Sequence, residues 1–106
     1  MTLSITTMPT DAGTIRLALA GEIDLGGAKP LREAIHAAVR DRTVTSVIVD
    51  LDGVTFIDST GIATLVDGRK LADVRLTAFR IDNARDLVRR VLEITGVLTH
   101  LSSTGR

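Results

Sequence analysis

The chain has 106 residues, 44% of them hydrophobic and 25% charged, and its thirteen basic and thirteen acidic side chains cancel. This length predicts one domain over residues 1–106, with one core that buries roughly two-thirds of the unfolded surface, and the composition argues against disorder. Neutral charge leaves no footprint for nucleic acid or anionic lipid, two aromatics (Phe56 and Phe79) leave no stacking platform for bases, and zero cysteines exclude disulfides and thiolate chemistry.

In chain order, Leu3 and Ile5 alternate with Thr2, Ser4 and Thr6, the period of a half-buried strand. Residues 9–13 form a turn cluster, after which Ile15, Leu17 and Leu19 alternate again. The first two strands therefore form a hairpin, and Gly21-Glu22-Ile23-Asp24 ends the second. The period then lengthens: Ala28, Leu31, Ile35, Ala38 and Val39 share a helical face. Pro30 is expected in a first turn, which places the helix start near Ala28. Val47-Ile48-Val49 reads as an interior strand covered on both faces, ending at Asp50, Asp52 and Gly53.

After residues 54–61, Ile62, Leu65 and Val66 return at helical spacing. Val74, Leu76 and Ala78 alternate with Asp73, Arg75 and Thr77 and predict a fourth strand. Asp82 or Asn83 is positioned to cap a third helix with Leu87, Val88, Val91 and Leu92 on its core side. Asp86–Arg90 and Arg89–Glu93 are spaced as ion pairs on its outer side. Gly96 is a natural stop, Val97, Leu98 and Leu101 suit a short last element, and residues 102–106 are expected to fray. The predicted class is α/β, in the order β-β-α-β-α-β-α, a mixed sheet with an N-terminal hairpin and helices packed against it.

The stretch with chemistry to explain is Asp58-Ser59-Thr60-Gly61, set between two apolar segments. An aspartic protease loop places glycine two positions after its aspartate, whereas Gly61 is three away, and a second carboxylate site would be needed. A serine hydrolase needs a base beside Ser59, and His36 and His100 sit in a predicted helix and in the tail, without a nucleophile elbow. Neither histidine has a partner at metal-ligand spacing. Walker and dinucleotide glycine loops are absent, so a nucleotide module would lack its phosphate cradle. The expectation is a protein that is not an enzyme and needs no cofactor or metal.

Two readings of the stretch remain. Ser59 or Asp58 is an N-cap worth ~1 kcal/mol to the second helix, though Ile62 leaves no capping box. Alternatively the hydroxyl is a switch, because a helix N-terminus stabilises the charge that phosphorylation adds, while a partner docked over the same spot meets it as repulsion.

Four strings occur together: Gly21-Glu22-Ile23-Asp24, residues 47–54, Phe56-Ile57-Asp58-Ser59-Thr60-Gly61-Ile62 and residues 88–96. In that order and spacing the chain resembles the STAS domain, and within it the bacterial anti-sigma factor antagonists. The resemblance implies a non-catalytic phosphoswitch. Its partner would be an anti-sigma factor with serine kinase activity, which phosphorylates Ser59 and binds only the unmodified form; a phosphatase resets it. The family would place Asp24 near the partner surface, have Asp58 shape the acceptor loop, let Gly61 permit close backbone approach, and leave Thr60 as a second hydroxyl. The alternative within the family is a docking subunit of a membrane transport or stress-sensing complex. Residues 68–81 depart from the pattern, lacking its Gly-Gly turn, and Arg80-Ile81-Asp82-Asn83 replaces its usual apolar-Asn-Pro-Ser exit. With no basic leader and no apolar run near ~20 residues, a cytoplasmic protein without membrane insertion or direct nucleic-acid contact is expected.

Overall fold

A computed structural model describes residues 3–102. Its elements are β1 (Leu3–Asp11), β2 (Thr14–Ile23), α1 (Leu25–Arg40), β3 (Ser46–Ile57), α2 (Ser59–Val74), β4 (Ala78–Asp82), α3 (Asp86–Ile94) and α4 (Val97–Ser102). The strands lie in the order β1-β2-β3-β4, with β1 antiparallel to β2 and the remaining pairs parallel. The expected mixed sheet, opening hairpin and element order are all present, and α4 is the short last element. Of the residues expected to fray, Ser102 closes α4 and 103–106 lie outside the described residues, as does Thr2.

The hairpin turns at Gly13, whose φ of +82° suits a residue without a side chain. From there Leu17, Leu19 and Ile23 of β2, Val47, Val49, Leu51, Val54 and Ile57 of β3, and Phe79 and Ile81 of β4 are buried. They form the floor of one core, roofed by Leu31, Ile35 and Val39 of α1 and Leu65 and Ala72 of α2. Both helices follow a strand that runs in the same direction, so their N-termini emerge at one edge of the sheet.

Strand alternation sends Arg16, Ile48, Asp50, Arg80 and Asp82 to the opposite face. Ile48 is buried there, as an interior strand predicts. Its register neighbours are Arg16 and Arg80, whose aliphatic stems are long enough to shield it.

Four boundaries differ from expectation, each for an identifiable reason. Helix α1 begins at Leu25 because the Asp24 carboxylate caps it, leaving Pro30 inside the helix at an exposed position. Strand β3 does not stop at Asp50–Gly53. Its register against β2 shifts between Asp50 and Gly53 and again between Val54 and Phe56, and such bulges absorb extra residues while pairing continues to Ile57. The fourth strand is not 73–78: Val74 and Leu76 alternate with polar neighbours yet are 82% and 75% exposed, and helix α2 runs to Val74 before β4 starts at Ala78. Finally, Asp82 ends β4 and Asn83 takes φ +60°, so neither caps α3, whose N-cap is Arg85 without a side-chain bond. Along α3, Val88 and Leu92 are buried but Leu87 is exposed. Arg89 meets Glu93 at 3.5 Å, while among the described residues Asp86 and Arg90 form no ion pair.

Candidate functional site

The chain leaves β3 through buried Ile57 and turns at Asp58, which has extended φ −111° and ψ −174°. Its Oδ1 accepts a hydrogen bond from the Gly61 N–H at 3.0 Å, its carbonyl accepts from the Ile62 N–H at 3.0 Å, and its own N–H donates to the Ile23 carbonyl at 3.2 Å. Between the two capping candidates, Asp58 is therefore the N-cap, satisfying an N–H that the helix start would otherwise leave unpaired.

Ser59 is the first helical residue. It is exposed, and its hydroxyl makes no hydrogen bond among the described residues. Thr60 is half-buried, and its carbonyl accepts from the Thr64 hydroxyl at 2.8 Å. Gly61 is buried tightly: a Cβ there would lie 2.7 Å from both the Ile23 carbonyl and Ile23 Cγ2, and 2.8 Å from Ile57 Cγ1.

The turn after β2 repeats this construction. Asp24, at φ −112° and ψ −166°, caps α1 by accepting from the Gly27 N–H at 3.2 Å. Gly27 is also buried, where a Cβ would lie 3.1 Å from the Glu22 carbonyl. Glu22 pairs with Phe56 and Ile23 with Ile57 in the parallel register, so the two aspartates leave neighbouring strands at the same level. Asp24, Asp58, Ser59, Thr60 and Gly61 thus occupy one edge of the sheet, with Leu25 standing on α1 where Ser59 stands on α2.

Two helix N-termini side by side present free N–H groups and the positive ends of two helix dipoles. A negative group placed on the Ser59 oxygen meets those donors without displacing any existing bond of that hydroxyl. Among the described residues no cluster of three or more His, Cys, Asp or Glu side chains could hold a metal ion. No helix there is long and apolar enough to cross a membrane.

A second polar cluster, on the opposite face of the sheet, includes Asp50 and Asp52, which the sequence pattern marks only as the end of a strand. Arg16 donates to Asp50 at 3.0 Å and lies 3.7 Å from Asp82, Asn83 Nδ2 donates to Asp50 at 3.1 Å, and Arg85 pairs with Asp52. Burial pushes the Asp50 carboxyl upward, but hydrogen bonds from the Asp52 N–H, Asn83 and Arg16, together with the Arg16 charge, outweigh it and hold the group below its ordinary value. The stabilisation this provides is present above the usual aspartate range and disappears as pH falls through the lowered value. The signal was in the sequence: Arg16, Asp50, Arg80 and Asp82 alternate with buried apolar residues.

The family model described as "Mlab, STAS domain" matches residues 6–102. An anti-sigma F factor antagonist from Lysinibacillus sphaericus is 34% identical over 86 residues, covering 79% of this chain and 72% of that protein. The crystal structure of an anti-sigma factor antagonist from Mycobacterium paratuberculosis superposes with a TM-score of 0.82 at 25% identity, covering 94% of this chain and 83% of that one. The Bacillus cell fate determinant SpoIIAA in its phosphorylated form shares the fold, with a TM-score of 0.74 at 19% identity over 94% of this chain and 89% of that chain.

Proposed function

We propose that this chain, which belongs to the STAS domain family, is an anti-sigma factor antagonist operated by phosphorylation of Ser59. The observation that carries the reading is the free, exposed hydroxyl of Ser59 at the start of a helix whose cap is supplied by Asp58. The likeness to relatives named anti-sigma factor antagonists gives the partner class.

In this reading the bare hydroxyl form docks on an anti-sigma factor and so frees the sigma factor it restrains. The partner is also a serine kinase. The Ser59 oxygen attacks the γ-phosphorus of its ATP, the bond to the β-phosphate oxygen breaks, the hydroxyl proton leaves to a base of the kinase, and ADP stays on the partner. Asp24, Asp58 and Thr60 belong to the contact surface, where the two aspartates hold the helix ends in place; Gly61, expected there too, is buried beneath it and lets α2 seat closely on the sheet. The protein performs no chemistry of its own, and a separate phosphatase returns Ser59 to its hydroxyl form.

Phosphorylation adds between one and two negative charges at neutral pH, ~1.5–2, to the edge already carrying Asp24 and Asp58. Within the α2 turn the helix N–H groups receive that charge, so the fold survives. Across the interface it faces the β-phosphate of ADP, and like charges brought together there oppose docking. A hundredfold loss of affinity needs only ~2.7 kcal/mol.

The test combines phosphoprotein mass analysis of material from the native host with binding of purified host anti-sigma factors to wild type, Ser59→Ala and Ser59→Asp. The expected outcome is phosphate on Ser59, retained binding by the alanine variant and a loss of at least about tenfold for the aspartate variant. A constitutive docking subunit would instead show no phosphate and equal binding by all three.

A further inference from the structure

We infer that Leu25 is the apolar anchor of the partner surface, buried by the same protein that reads Ser59; the inference rests on the function proposed above and specifies where its binding energy lies. Leu25 is 76% exposed, so most of its apolar side chain lies outside the core. It makes no cap, because Asp24 does that, and it is not among the buried or partly buried residues of the core cluster. An exposed leucine in a first helical turn, beside two capping aspartates, has no local reason to be apolar.

Its location supplies the reason. Register pairing of Ile23 with Ile57 sets the ends of β2 and β3 level, and each strand then gives one capping aspartate and one first helical residue. Leu25 and Ser59 therefore occupy equivalent positions on helices that pack side by side, at the ~8–10 Å spacing of neighbouring helices. A kinase close enough to transfer phosphate to the Ser59 oxygen covers a patch far wider than that spacing. Leu25 lies inside the footprint. The occupant is thus the anti-sigma factor itself, presenting an apolar socket next to its phosphoryl-donor site, with the neutral hydroxyl and the leucine side by side beneath it.

This arrangement divides the work between the two turns. Leu25 supplies constant attraction, indifferent to modification, and Ser59 supplies the term that changes sign with the phosphate. The chain offers an internal control in Ile94, an equally exposed apolar residue (75%) on α3, a helix that packs on β3 and α4.

The experiment is titration of purified host anti-sigma factor kinase, loaded with ADP, against wild type, Leu25→Ala, Leu25→Lys, Ile94→Ala and Ser59→Asp, with thermal melts confirming that each is folded. Truncating a leucine that becomes buried should weaken binding about tenfold or more, and a lysine there should weaken it further. Ile94→Ala should bind within about twofold of wild type. If Leu25→Ala binds like wild type, or no worse than Ile94→Ala, while Ser59→Asp loses the partner, the anchor is refuted and the switch stands. If Leu25→Ala loses the partner but Ser59→Asp does not, the anchor stands and the switch is refuted. If wild type binds none of the host anti-sigma factors, both fall together.

Discussion

The turn from β2 into α1 and the turn from β3 into α2 share one plan and part at one exposed position. Ile23-Asp24-Leu25-Gly26-Gly27 and Ile57-Asp58-Ser59-Thr60-Gly61 each send a buried isoleucine into the core, cap the helix with the next aspartate, and close the first turn on a glycine whose N–H donates to that aspartate. At the residue after the cap, one turn has leucine and the other serine. Because α1 starts perfectly well with leucine there, the hydroxyl of Ser59 is not required to start α2. Folding accounts for Asp58 and Gly61; it leaves Ser59 unexplained, and that remainder is what the switch explains.

The two glycines give the largest way to break the likeness. A methyl group at position 61 would enter space already held by the Ile23 carbonyl and by two isoleucine side chains, all within 2.8 Å. At position 27 the nearest atoms stand at 3.1 to 3.3 Å: Leu3 Cδ2 is the movable end of a side chain, and the Glu22 carbonyl and Leu3 Cβ need shift by only a few tenths of an ångström. Alanine is the better helix former by ~1 kcal/mol, which offsets a mild clash but not a severe one. Gly61→Ala should cost a net ~2 kcal/mol or more, with overpacking as the cause, and Gly27→Ala should fall within ~1 kcal/mol of wild type. Denaturant midpoints at constant m-value measure both; equal losses would mean that α1 and α2 are seated equally closely.

The caps come next in size. Asp24→Ala and Asp58→Ala should each cost ~1 kcal/mol, since each removes one carboxylate bond to an otherwise unpaired N–H. Ser59→Ala should change stability by less than ~0.5 kcal/mol. Thermal melts of the three variants would sharpen the comparison: a Ser59→Ala loss as large as the Asp58→Ala loss would return the hydroxyl to a structural role.

Much of this was legible in the sequence, for physical reasons that also mark its limits. Period-two alternation located β1 and β2, the apolar β-branched run at 47–49 located the centre of β3, and Asp58 was one of two capping candidates that the geometry then separated. The misread boundaries fall where tertiary context overrides local pattern. The bulges of β3 break its alternation at Gly53, where a Cβ would come within 2.9 Å of the Leu19 carbonyl and Ala20 Cβ. The α1 start was hidden because Gly26, Gly27 and Pro30 are poor helix formers, and only the Asp24 bond reveals why the helix begins before them. Ionic partners such as Arg16 and Asp50 are 34 residues apart, beyond the reach of any local rule. Both turns carry recognisable motifs, but their likeness depends on Ile23 standing opposite Ile57 across the parallel pair.

The two helices part again at their far ends, and here the expected effect is smallest. Helix α1 exits through Asp41 in an extended conformation, φ −72° and ψ 119°. Helix α2 exits through a reverse turn: the Leu76 N–H donates to the Asp73 carbonyl at 3.2 Å, the Thr77 N–H to the Ala72 carbonyl at 2.9 Å, and Leu76 takes φ +58°. That bond pattern ordinarily carries glycine at the left-handed position, because a side chain there crowds the following carbonyl by ~1–2 kcal/mol. Leu76 is 75% exposed, so it recovers little of this through packing. Leu76→Gly relieves the crowding but adds freedom to the unfolded chain, which costs ~0.5–1 kcal/mol. The net expectation is a gain of ~0.5 kcal/mol in denaturant unfolding, with Ser59-dependent binding unchanged because the substitution lies at the opposite end of α2. The same change at Asp41, whose backbone is not left-handed and whose carboxylate accepts from the Thr43 N–H at 2.9 Å, should instead be destabilising. A loss at both positions would show that Leu76 packs more tightly than its exposure implies.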